Sequence, residues 1–139
     1  MFNVRYAVND DFAWLDESDN HVNSDWIKRC LSHKEYVIAV ENDKRLGFLR
    51  FSYFWGDIPY MDLIRVNKDR RRQGIGTAMF QFWESEMKNR DTKVLMTSST
   101  FGENEPKTWH ERNGFVQSGE LIFGIHEPVP EVFFIKNLV

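Results

Sequence analysis

Val66-Asn67-Lys68-Asp69-Arg70-Arg71-Arg72-Gln73-Gly74-Ile75-Gly76-Thr77 is the stretch on which the reading of this chain turns. It follows an apolar, strand-like run, Tyr60 to Val66, and leads into a helical pattern that continues to about Lys88. Between them lies a loop with two glycines two apart, and with five basic residues against one acid from Arg65 to Arg72. The first turn of a helix leaves backbone N–H groups unpaired, and the helix dipole adds partial positive charge there. Glycine permits close approach to the backbone, and arginine grips phosphate oxygens through a fixed fork of N–H groups. A strand, a basic glycine loop and a helix start together predict an anion site of the size of a pyrophosphate. A plain strand-to-helix turn would have no need of Arg70, Arg71 and Arg72.

Working outward, the run before the loop carries one acid, Asp62, on the face shared by Ile64 and Val66 by two-residue alternation. In the helix after the loop, Ile75, Met79, Phe82 or Trp83, and Met87 recur at the spacing of a buried stripe. Upstream, Phe2–Tyr6 reads as a strand, Asn9-Asp10-Asp11 as a helix start, and Ser24–Ser32 as a second helix. Glu35–Glu41 and Arg45–Trp55 read as strands joined by a turn at Asn42-Asp43-Lys44, and Gly56-Asp57-Ile58-Pro59 turns the chain again. Downstream come a short strand Lys93–Thr97, a helix Asn104–Asn113 stopped by Gly114, and strands Phe115–Phe123 and Val132–Leu138. The predicted order is β-αα-βββ-α-β-α-ββ, over a single domain spanning 1–139.

Bulk properties narrow the function. The formal charge is −3, which argues against a nucleic-acid-binding module and makes the local basic cluster stand out. One cysteine, Cys30, excludes an internal disulfide, and its place in an apolar helical pattern predicts a buried thiol. No apolar run reaches the length of a membrane span, and the amino terminus lacks a signal-peptide core, so a cytoplasmic protein without a membrane partner is expected. The histidines His21, His33, His110 and His126 are scattered without ligand spacing, and no metal is expected. The third glycine and downstream acid of a dinucleotide fingerprint are missing, as are a Walker loop and a serine-hydrolase elbow. Six acids and no lysine or arginine fall between residues 9 and 25: Asp10, Asp11, Asp16, Glu17, Asp19 and Asp25. They read either as helix starts with a solvated face or as an acidic lip for a cationic substrate.

Three features resemble the GCN5-related N-acetyltransferase (GNAT) superfamily. Arg71-Arg72-Gln73-Gly74-Ile75-Gly76 is similar to its phosphate loop. Ile64-Arg65-Val66 is similar to the strand that leads into it. Trp109-His110-Glu111-Arg112-Asn113-Gly114-Phe115 is similar to its closing helix, which ends in a Gly-Phe pair. The resemblance implies an α/β (α+β) fold with a mixed, mostly antiparallel sheet of about seven strands flanked by about four helices. It also implies acetyl-CoA as cosubstrate and transfer of the acetyl group to a primary amine by direct attack in a ternary complex. Ile64, Arg65, Val66, Arg71, Arg72, Gln73, Gly74, Ile75, Gly76, Thr77 and Asn104 would then contact the coenzyme. Asn104 stands six residues before the aromatic position, where the family asparagine stands seven before. Asp62 is the candidate base. His110, which replaces a family tyrosine, is the candidate general acid.

The acceptor is expected to be a small cationic amine, with a peptide or protein amine as the alternative. Relatives often dimerise through the late strands, which makes a homodimer one expectation. A coenzyme-A-binding regulatory module without catalysis is the competing reading.

Overall fold

A computed structural model describes all 139 residues. The elements follow the predicted order: β1 (Asn3–Tyr6), α1 (Phe12–Ser18), α2 (Ser24–Ser32), β2 (Tyr36–Glu41), β3 (Lys44–Phe54), β4 (Ile58–Val66), α3 (Ile75–Lys88), β5 (Val94–Thr100), α4 (Asn104–Arg112), β6 (Val116–Leu121) and β7 (Glu131–Asn137). Backbone hydrogen bonding links the strands in the order β1-β2-β3-β4-β5-β7-β6. The β4–β5 pair is parallel, whereas β1–β2, β2–β3, β5–β7 and β6–β7 are antiparallel, so the sheet is mixed as expected. Two compact units divide the chain, residues 1–51 with 63–85, and residues 52–62 with 86–139.

In the first unit β2 and the start of β3 are apolar on both faces because both faces are covered. Tyr36, Ile38 and Phe48 pack with Leu15 of α1 and with Ile27, Cys30 and Leu31 of α2. Residues of the opposite parity serve α3: Phe51 meets Trp83 with ring centroids 5.7 Å apart. Gly47 lies on this second face, where an added Cβ would stand 2.6 Å from the Arg65 carbonyl oxygen and 3.1 Å from Val66 Cα. No side chain fits there, and β3 approaches the backbone of β4 closely. The turn between β2 and β3 holds Asn42 and Asp43 at φ 49° and 64°, the left-handed pair of a two-residue hairpin.

The acidic stretch divides between interior and surface, with Asp10, Asp16, Glu17 and Asp25 exposed and the other two acids buried. Asp11 is buried and receives Arg5 at 2.8 Å, Arg45 Nε at 2.8 Å and the Val8 N–H at 2.8 Å. Burial alone would raise its carboxyl. The bonds from Arg5, the Val8 N–H and Arg45, with the Arg5 charge, outweigh that and hold it down at about 2. Asp19 is buried as well and takes Arg50 Nε at 2.7 Å and the Tyr36 hydroxyl at 2.6 Å. Two of the six acids are therefore internal clamps between helix termini and strands. Asp16, by contrast, is exposed and accepts from the Ser24 hydroxyl at 2.6 Å.

In the second unit β7 lies between β5 and β6, pairing Val94–Thr100 on one side and Val116–Leu121 on the other. The predicted strand Lys93–Thr97 is longer than expected, because Ser98, Ser99 and Thr100 find partners in Phe133, Val132 and Glu131. The predicted strand Phe115–Phe123 is shorter and ends at Leu121. Leu95, Met96, Phe115, Val132 and Phe134 form the buried centre. Phe133 and Phe134, adjacent on β7, point to opposite faces. Phe134 is fully buried, and the Phe133 ring lies 6.4 Å from that of Phe123. Cys30 is buried, as its helical setting implied.

Candidate functional site

Strand β4 ends at Val66, and one turn of 3-10 helix, Lys68–Arg70, carries the chain into the glycine loop. Asn67 fixes this corner: its amide N–H donates to the Leu46 carbonyl at 2.8 Å, and its side chain donates to the Arg45 carbonyl at 2.9 Å. The loop backbone then passes through the left-handed region twice, at Arg72 (φ 63°) and at Gly74 (φ 80°). Glycine accepts that conformation at no steric cost, while an arginine pays for it. Ala78 N–H donates to the Gly74 carbonyl at 3.0 Å, the bond that opens α3. Ile75, Gly76 and Thr77 thus occupy the first turn, whose amides a helix cannot satisfy from within.

The loop is open at Gly74. A Cβ built on Gly74 meets nothing within 4 Å, and one on Gly76 meets only Val66 Cγ2 at 3.7 Å and Ile64 Cδ1 at 3.9 Å. Arg71, Arg72, Gln73 and Thr77 are exposed, and Ile75 is buried beneath them as the anchor of the turn. The arginines differ in what they hold. Arg70 is bound to Glu41 at 3.0 Å and donates to the Gln73 side-chain oxygen at 2.9 Å, so it braces the loop. Arg71 Nε donates to the Val66 carbonyl at 3.2 Å. Arg71 also lines an open hollow of about 260 Å³ with Trp14, Ser18, Phe48 and residues 65–68. At its rim the Arg65 guanidinium lies 3.2 Å from His21 Nε2. Open space, unpaired amides and exposed guanidinium groups fit a diphosphate in charge and in donor geometry.

The other predicted residues lie in the second unit. Strand β4 pairs with β5 in parallel, Tyr60 with Met96 and Met61 with Thr97. Asp62 follows directly and is half-buried, its Oδ1 accepting from the Ser52 hydroxyl at 3.0 Å. Asn104 opens α4, exposed, beside a second hollow of about 250 Å³ lined by residues 99–104, Lys107, Gln117, Val132 and Phe134.

His110 is buried in the last turn of α4, with the rings of Phe134, Trp109 and Phe115 at 5.0, 5.7 and 6.0 Å. Burial pushes its imidazole down to about 4, against a smaller upward pull from a hydrogen bond to the Ser98 backbone. Its Nδ1 is buried without a protein partner. Above about pH 5 the ring is neutral, with one nitrogen donating and the other accepting. The folded chain resists protonation that the unfolded chain accepts near 6.5, so stability falls as pH drops from there toward 4. The His110 ring protons are expected to shift in an NMR titration only below about pH 5. An inflection near 6.5, that of an unperturbed histidine, would contradict this environment.

Sequence reasoning missed one arrangement here. Tyr60, Ser98 and Glu131 come from β4, β5 and β7 and join in a single hydrogen-bonded line. Their separations of 38 and 33 residues left no local signal. No group of histidine, cysteine, aspartate and glutamate side chains is arranged to hold a metal ion.

The chain matches the model of the acetyltransferase (GNAT) family over residues 3–115. No curated protein matches it. Among solved structures it is similar to a GNAT-family acetyltransferase from Bacillus cereus at 24% identity and a TM-score of 0.81, over 100% of this chain and 99% of that one. It is similar to the ribosomal-protein-S18-alanine N-acetyltransferase of Escherichia coli at 16% identity and a TM-score of 0.81, over 99% and 94%. It is also similar to an aminoglycoside 6'-N-acetyltransferase complexed with coenzyme A, at 14% identity and a TM-score of 0.79, over 99% and 97%. At these identities the likeness is one of fold.

Proposed function

Because this chain belongs to the acetyltransferase (GNAT) family, we propose that it is an acetyl-CoA-dependent N-acetyltransferase acting on a primary amine. The single observation that carries the reading is the loop: residues 75–77 open α3 just after Gly74, where a Cβ would meet nothing within 4 Å, with Arg71 and Arg72 exposed beside them. Those amides, with Arg71 and Arg72, would hold the pyrophosphate. Arg72 adds a specific argument, since it keeps a left-handed backbone that glycine would adopt without strain.

When bound, acetyl-CoA supplies an activated acetyl group and a thiolate leaving group. The chain has to supply orientation, a neutral amine and a proton donor. An alkyl ammonium has a pKa near 10.4, so its proton must be taken before the nitrogen can attack. His110 is the candidate group. Its ring is neutral and gives its one N–H to the Ser98 backbone, so the unpartnered buried Nδ1 supports a role as a hydrogen-bond acceptor in preference to one as a charged acid.

Acceptor class is the least constrained element. Part of the acidic stretch is consumed internally by Asp11 and Asp19, while Asp10, Asp16, Glu17 and Asp25 remain exposed and favour a cationic acceptor. Mixing the protein with acetyl-CoA and a panel of polyamines, aminoglycosides and amino-terminal peptides, and following thiol release, tests the reading. Release with at least one amine is expected. Coenzyme binding without release on any amine would favour a regulatory module instead.

A further inference from the structure

Glu103, which caps α4, Lys107 and His110 stand four and three residues apart, the spacing that places side chains on one helical face. His110 is buried on that face, its ring 5.0 Å from that of Phe134. One turn earlier, an apolar side chain at 107 would continue the packing onto Val132 and Phe134, both buried. The chain has a lysine there, and it is exposed. A hollow of about 250 Å³ is left between this end of α4 and strands β5, β6 and β7. Every residue that lines it belongs to the second unit. At about 30 Å³ for a water, the hollow has room for about eight. That is a little below the ~300–1,000 Å³ of sites for drug-sized ligands, and it suits a small metabolite.

The lining combines apolar and charged groups. Val132 and Phe134 give it an apolar wall, and Ser99, Thr100 and Gln117 add neutral hydrogen-bonding groups. The only charges in it are Glu103 and Lys107. The Glu103 side chain makes no capping bond, and neither charge is held in an ion pair. Helical neighbours of this kind lie about 5–6 Å apart at Cβ. A carboxylate and an ammonium side by side, next to an apolar wall, complement a molecule with the same two charges on one carbon and an apolar branch. A ligand with one charge alone would leave one of the two without a counter-charge.

We propose that this hollow is a binding site for a free α-amino acid with an apolar side chain, of the size of leucine. Lys107 takes the carboxylate, Glu103 the ammonium, and Val132 and Phe134 the side chain. Asn104, which also lines the hollow, is assigned to this ligand in place of the coenzyme. Because the Phe134 ring lies beside His110, occupancy reaches the one buried residue of α4. The site stands independently of the acetyltransferase reading.

The full chain, without acetyl-CoA, is titrated with L-leucine while the methyl signals of Val132 and the ring signals of Phe134 and His110 are followed. Saturable shifts are expected, with half-saturation below about 1 mM, the upper end usual for enzyme substrates. Isocaproate lacks the ammonium, and isopentylamine lacks the carboxylate. Each should bind at least about tenfold more weakly than leucine, the loss of one charge-assisted hydrogen bond. Lys107→Gln and Glu103→Gln should weaken leucine binding by the same factor, and both positions are exposed, so the variants stay folded. Lys107→Leu, which places an apolar side chain over Val132 and Phe134, should abolish the shifts and melt at or above the wild-type temperature.

Absence of any saturable shift up to about 1 mM leucine overturns the proposal. So does equal binding of leucine and isocaproate, or of leucine by wild type and Lys107→Gln. Displacement of leucine by acetyl-CoA, with the Val132 methyls moving as acetyl-CoA binds, gives the hollow to the coenzyme. That outcome overturns the amino-acid site and leaves the transferase reading standing.

Discussion

Asp19→Ala is expected to lower the stability of the folded chain by about 3–5 kcal/mol, the cost of removing one partner from a buried ion pair. Asp19 and Arg50 are both almost fully inside, at 0% and 8% side-chain exposure, and their contact is 2.7 Å. The alanine takes from the buried Arg50 guanidinium the carboxylate that Asp19 supplies, and it takes from the Tyr36 hydroxyl the acceptor it now has at 2.6 Å. Desolvation of both groups has already been paid in the fold, so little is recovered when the carboxylate goes. Asp19 also closes α1, its N–H donating to the Leu15 carbonyl at 2.8 Å, and it leads into the connector that carries His21 to Arg65. Urea unfolding measures the loss directly, as a shift of midpoint at unchanged slope. A variant within about 1 kcal/mol of wild type would mean that the pair behaves as a solvent-exposed one.

Gly74→Val is expected to weaken acetyl-CoA binding by about 100-fold or more while leaving the protein folded. Apart from residues 73–75 themselves, no protein atom lies within 4 Å of a Cβ at position 74, so the branch point of the valine meets no packed neighbour. Its backbone would have to hold φ near 80°, at a cost of about 1–2 kcal/mol for an L-residue. More important, its methyl groups fill the space through which a phosphate reaches the first-turn amides. Losing two charge-assisted hydrogen bonds at about 1.5 kcal/mol each removes roughly 3 kcal/mol, or about two decades of affinity. Gly76→Ala is the matched control. Its Cβ would sit in ordinary contact with Val66 and Ile64, and alanine favours the helix by up to about 1 kcal/mol. That variant should bind acetyl-CoA like wild type and melt at or above its temperature. Equal binding by Gly74→Val and wild type in calorimetric titration would remove the loop from the coenzyme site.

Much of the fold was legible because its signals are local. Strand periodicity before Val66, the glycines at 74 and 76, the stripe of Ile75, Met79, Trp83 and Met87, and the Gly114 stop each act within a few residues. They returned the element order without error. The boundaries of β5 and β6 were misplaced where pairing with β7 overrode local composition. Ser98-Ser99-Thr100 looks like a loop and is a strand because Phe133, Val132 and Glu131 are opposite.

The site divides along the same line. The loop could be read from its own residues, although only the structure shows that Arg70 is committed to Glu41 while Arg71 and Arg72 remain exposed. Asp11 and Asp19 looked like helix starts or an acidic lip because a cation that holds each comes from β3, far along the chain: Arg45 is 34 residues on from Asp11, and Arg50 is 31 on from Asp19. The histidine at 110 was visible. Its neutrality was not, since the burial that enforces it is supplied in part by Phe134, which lies in a different element.

The central claim is that the loop at residues 73–77 holds the pyrophosphate of acetyl-CoA, and a nitrogen–proton correlation spectrum of labelled protein tests it most directly. On titration with acetyl-CoA, the amides of Gln73, Gly74, Ile75, Gly76 and Thr77 should show saturable shifts, with half-saturation between about 1 µM and 1 mM, the range usual for enzyme substrates. Desulfo-coenzyme A, which keeps the pyrophosphate but has no thioester, should move the same five signals. If those amides stay in place while the protein is saturated with acetyl-CoA, or if no signal moves up to about 1 mM, the loop is not the coenzyme site and the account fails at its base.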